Sequence, residues 1–138
     1  MCAWYYDPHS GGTKIPDSVK DAVRKRVTDY ANQHHAGKFA RLDFRFKNQF
    51  CYIDAYTEPQ VPASFDESRF GISREEYEQR LRDTPTHLCR LRFFGDIDRW
   101  SMAFFTYSNE KYTPSYFGTG QDKGTPEEAF EASSLYLR

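Results

Sequence analysis

At 138 residues the chain is the size of one domain and long enough to bury a core without disulfide or metal staples. A formal net charge of -1 excludes a global field that would draw in nucleic acid or anionic lipid. Mean hydropathy of -0.83 argues for a weakly driven fold, but 17% of the residues are aromatic, so the expected core is aromatic and mixed.

Residues 1–15 show no periodicity and read as an irregular lead-in, with Trp4, Tyr5 and Tyr6 expected to strap onto the domain. Pro16 and Asp17 form a helix entry, and Val19, Val23, Val27, Tyr30 and Ala31 follow at helical spacing until Gly37. The opposite face of this helix carries Lys20, Arg24, Lys25 and Thr28. Residues 39–46 alternate cleanly, a Lys47-Asn48-Gln49 turn follows, and residues 50–56 form the return strand. Pro59 and Pro62 open an irregular connection to Ile72, anchored by Phe65 and Phe70. Ser73 and Glu76 have capping-box spacing, which predicts a short helix to about Arg82 with Tyr77 and Leu81 inward.

Residues 87–107 read as a second hairpin, and the other elements are expected to be organised around it. Its second strand, Trp100 to Tyr107, is apolar at both parities and is expected to be the most buried. Lys111 to Phe117 contains Pro114, which cannot donate to a ladder, so this strand belongs at an edge. Thr125-Pro126-Glu127-Glu128 is a second capping box, opening a helix to Leu137.

The order helix, hairpin, helix, hairpin, edge strand, helix predicts a single α+β domain over residues 1–138. Four or five antiparallel strands would form one sheet with helices mainly on one face.

If Leu42, Phe44, Cys51, Ile53 and Ala55 face the helices, the other face presents Arg41, Asp43, Arg45, Tyr52, Asp54 and Tyr56, joined by Arg90 and Arg92. Arginine supplies planar bidentate donors and tyrosine supplies stacking area with a polar tip, so this surface is the expected binding face. Its bland alternative is a ladder of weak cross-strand ion pairs. Asp43 and Asp54 lie on neighbouring strands, where paired carboxylates would suit acid–base or phosphate chemistry. No catalytic residue is assigned. His87 and Cys89, at i and i+2, share a strand face on this reading, but no metal-ligand spacing completes them, and no metal or cofactor is expected. Gly118-Thr119-Gly120 and Gly124 lack the phosphate-loop pattern and read as turn residues.

Cys2, Cys51 and Cys89 make an odd count with no paired spacing, and no leader-like run follows Met1. No apolar stretch approaches the ~18 residues of a membrane span. The expected setting is therefore the cytoplasm, with no membrane association.

The runs RLDFRFKNQFCYIDAYTEP and THLCRLRFFG, with RWSMAFFTYS and GTPEEAFEASSLYL, resemble a set of short bacterial proteins with no assigned function. That resemblance spans most of the chain and implies a bacterial source, but no activity. The strands followed by GTPEEAFEAS and a helix are similar to part of the RNase-H-like fold of HicB-type antitoxins, whose opening elements differ. The function expected first is a non-catalytic interaction module that contacts another copy of itself or a partner protein. A small hydrolase or nuclease-like enzyme acting on a phosphate-bearing substrate through Asp43 and Asp54 is the alternative. A nucleic-acid accessory role comes third, without a motif behind it.

Overall fold

The computed structural model describes residues 11–106, 110–115, 117 and 120–137. The Trp4–Tyr6 strap, Cys2, the end of the central hairpin at Tyr107 and the Gly118-Thr119 part of the glycine loop lie outside the described residues.

Chain order is α1 (Asp17–His34), β1 (Arg41–Lys47), β2 (Phe50–Tyr56), α2 (Glu67–Phe70), α3 (Arg74–Asp83), β3 (Thr86–Phe93), β4 (Trp100–Thr106), β5 (Lys111–Ser115) and α4 (Pro126–Ser133), closed by a 3₁₀ turn at Ser134–Leu137. The five strands form one antiparallel sheet in the order β1-β2-β3-β4-β5, so each strand pairs only with its neighbours in sequence. This is the α+β architecture expected from the element order. Pro114 sits on β5 at the sheet edge, opposite Ala103.

The strand pairing sorts side chains onto two faces. Cys51, Ile53 and Ala55 of β2, Cys89, Leu91 and Phe93 of β3, and Trp100 and Met102 of β4 are buried on one face. Val23, Val27 and Ala31 of α1 and Ala129 and Phe130 of α4 cover them. Asp17 and Pro16 start α1 as expected, and Gly37, at φ +84°, follows its end. The Thr125 capping box is complete, with Thr125 Oγ1 accepting from the Glu128 amide and the Glu128 carboxylate accepting from the Thr125 amide. At Ser73 only half a box forms. Its hydroxyl accepts from the Glu76 amide, while the Glu76 carboxylate instead pairs with Arg80.

Three expectations need correction. The most buried strand is β3, not β4: five of its eight residues are buried, whereas Phe104, Phe105 and Thr106 are only half-buried. The reason is the meander order, which puts β3 in the centre. Within the 59–72 connection a single turn of helix, α2, forms because Asp66 accepts hydrogen bonds from the Ser68 and Arg69 amides and Gly71, at φ +74°, ends it. Tyr77 and Leu81 do not enter the core, since α3 has no buried residue. Tyr77 instead stacks on Phe65, centroid to centroid at 4.8 Å, and Phe65 stacks on Phe70 at 5.2 Å. Among the described residues, no helix is long and apolar enough to cross a membrane.

Candidate binding face

The second face of the sheet, turned away from α1 and α4, receives every residue of the expected binding set. β1 contributes Arg41, Asp43 and Arg45; β2 contributes Tyr52, Asp54 and Tyr56; β3 contributes Arg90 and Arg92. The register sets Arg41 opposite Tyr56, Asp43 opposite Asp54, Arg45 opposite Tyr52 and Tyr52 opposite Arg90. With Lys47, the described part of this face carries five cationic side chains against two carboxylates.

The arginines are not splayed into solvent. Arg41 stacks on the ring of Tyr56 at 3.8 Å, Arg45 on Tyr52 at 4.9 Å, Arg90 on Phe50 at 4.5 Å and Arg92 on Phe94 at 5.0 Å. Each guanidinium thus lies over a ring, an arrangement that orders the side chain, and Arg45 and Arg92 are held further by Asp54 and Ser101. Burial pulls Arg90 below its ordinary pKa, an effect that the neighbouring Tyr52 offsets in part.

Asp54 forms the floor of the face at 3% exposure. Its Oδ1 lies 2.9 Å from His87 Nδ1 and its Oδ2 lies 3.3 Å from Arg45 Nη2. A carboxylate only accepts, so the first contact requires the proton of His87 on Nδ1. The ring of His87 packs on Phe105 at 4.6 Å, Phe105 on Tyr112 at 5.2 Å, and Tyr112 on Tyr52 at 5.3 Å. The Tyr112 hydroxyl is buried and has no hydrogen-bond partner among the described residues, and burial, helped by the Asp54 charge, pushes its pKa up.

His87, Phe105 and Tyr112 were not in the expected set. His87 is displaced by a β-bulge: Ile53 pairs with Cys89 but Asp54 pairs with His87, leaving Leu88 as the extra residue. His87 therefore shares a face with Asp54 while Cys89 lies in the core on the opposite side. This corrects the alternation that put the two on one face. Tyr112 and Phe105 reach the site through strand order, which no local pattern reports.

Asp43 and Asp54 face each other across β1 and β2, but their contacts differ. Both oxygens of Asp54 are engaged elsewhere, and no ion pair to Asp43 occurs among the described residues. Nor do the described residues hold any group of three or more potential metal ligands. The thiols of Cys51 and Cys89 are buried, which pushes both up, Cys89 to about 12, far from the reactive thiolate range.

The basic residues of α1 form no such surface. Lys20, Arg24 and Lys25 pair with Asp17, Asp21 and Asp29 on the same helix, and Lys20 and Arg24 lie over the ring of Phe46. No family model, curated protein or solved structure matches the chain.

Proposed function

We propose that the protein is a non-catalytic interaction module of the bacterial cytoplasm whose arginine- and tyrosine-rich sheet face docks an acidic protein surface, that of a second copy or of a partner. The observation that carries this reading is the row of guanidinium–ring stacks across β1, β2 and β3. Arginines already ordered on rings lose less side-chain freedom on binding, and Arg and Tyr are the residue types that dominate interface energetics. The free, buried thiols of Cys51 and Cys89 support a reducing compartment.

Sedimentation velocity over a range of concentrations tests the reading, with Arg41→Glu and Tyr52→Ala as variants. Arg41 is exposed, so its replacement reports on binding; Arg92, at 4% exposure, would report on folding instead. Loss of association in both variants, with unchanged circular dichroism, is the expected result. A wild-type protein that stays monomeric and binds no acidic protein would end it.

One observation favours a second reading, the hydrolase. A buried carboxylate fixed on His87 Nδ1 is an arrangement suited to general acid–base work. Hydrolysis of a phosphoester panel that vanishes in His87→Gln and persists in Asp43→Asn would support it; activity unchanged by His87→Gln would remove it.

A further inference from the structure

The 57–85 segment, which carries α2 and α3, is joined to the sheet at its two ends and by little else. Among the described residues no hydrogen bond, ion pair or ring contact links α2 or α3 to a strand. Its ties are internal or lie in its own stem: Arg74 donates to the carbonyls of Val61 and Pro62, and Arg82 pairs with Glu58. A ten-residue helix with no buried residue is marginal on propensity alone. Its apolar material, the Phe65–Phe70–Tyr77 stack, ends in Phe70 at 60% exposure.

Charge separates this arm from the sheet face. Residues 58–83 hold seven carboxylates against four arginines, while the face holds five cations against two carboxylates. Glu67 and Glu75 are exposed and make no ion pair among the described residues, and the same is true of Arg41 and Lys47 on β1.

We infer that the face is filled by the α2–α3 arm of a second copy, reciprocally, so that two chains form a closed dimer in which each acidic arm lies on the partner's basic sheet. The inference rests on the reading of the face as an interface and names its occupant. Such a contact is isologous: one arm–face surface occurs twice and no face is left over for a third chain. It covers Phe70 and completes the burial of α3, which has no buried residue within its own chain. Its stability falls as salt screens the two charge sets.

Paired charge reversals provide the test, each variant being checked for folding by circular dichroism. E67K/E75K makes the arm basic and R41E/K47E makes the face acidic. Each variant alone is expected to be monomeric, with the dimer Kd raised on the order of tenfold or more. An equimolar mixture is expected to form heterodimers, because both of its arm–face contacts are again between opposite charges. The four-substitution chain is expected to dimerise by itself. Phe70→Ala, an uncharged change at an exposed site, should weaken the dimer independently. A dimer lost in R41E/K47E but intact in E67K/E75K and Phe70→Ala would overturn the arm and leave the face as an interface. A dimer intact in every variant would overturn both. Folded single variants that fail to restore each other on mixing, or a monomeric wild type, would also overturn the arm.

Discussion

Arg26 on α1 and Glu127 on α4 are 101 residues apart and meet through two parallel hydrogen bonds, Nε to Oε2 at 2.9 Å and Nη2 to Oε1 at 2.8 Å. The same Nη2 reaches Asp98 of the β3–β4 turn at 2.9 Å. One guanidinium thus joins both covering helices to the central hairpin. Lysine cannot supply this fork. Arg26→Lys and Arg26→Ala are both expected to lower stability by about 1 kcal/mol, since the pair is partly solvated. Urea unfolding with an unchanged m-value checks this.

Gly124 is required for a reason unrelated to turn geometry. It bridges Trp100 through reciprocal backbone hydrogen bonds, and a Cβ built on it would sit 2.6 Å from Cδ1 of Phe117. Gly124→Ala is expected to cost about 1–3 kcal/mol through overpacking. Adding Phe117→Leu, which removes the ring, should recover part of that loss, and a double-mutant cycle in thermal unfolding would show the coupling.

Asp43 and Asp54 occupy one cross-strand pair but should respond very differently to substitution. Asp54→Ala leaves His87 and Arg45 without their shared buried carboxylate and is expected to cost about 2–4 kcal/mol. Asp43→Asn, at a half-exposed site without an ion pair among the described residues, should stay within about 0.5 kcal/mol. A loss in Asp43→Asn as large as that in Asp54→Ala would overturn this contrast.

Alkaline stability provides a further check. Tyr30 donates to Glu131 at 2.7 Å, and His35 Nε2 lies 3.0 Å from the same oxygen. The hydrogen bond to Glu131 raises Tyr30 from 10.0 to about 12. A group whose folded pKa is raised contributes stability that is complete below its unfolded value and lost as pH rises toward the folded one. Stability is therefore expected to fall between about pH 10 and pH 12, and Tyr30→Phe should flatten that part of the profile. Glu131 is lowered, first by Tyr30 and then by His35, so its contribution has the opposite sign and is lost only in acid.

Elements with a local signal were legible in the sequence. The valine stripe of α1, the Thr125 capping box, the alternation of β1 and β2 and the edge position enforced by Pro114 all report themselves within a few residues. The face shared by Arg41, Asp43, Arg45, Tyr52, Asp54 and Tyr56 follows from that alternation alone. His87 was hidden because a bulge inverts parity without changing composition. Tyr112 and Phe105 needed the strand order. Apolar content at both parities overstates the burial of β4, because it marks a covered strand only where layers extend over its full length. Tyr77 and Leu81 have helical spacing suited to a core that their helix does not reach.

The meander gives the 57–85 arm an unusual standing, because β2 and β3 are antiparallel neighbours that a tight turn would join. Closing a loop costs about 0.6 kcal/mol for each doubling of its length, and the arm is roughly three doublings longer than a four-residue turn. Carrying it therefore costs the isolated chain about 2 kcal/mol in closure entropy, offset on α3 only by half-buried side chains such as Tyr77 and Leu81. A chain that replaced residues 57–85 with a short hairpin turn would keep the sheet, the core and both covering helices. It would also fold to a more stable monomer, so the sheet itself does not account for the arm.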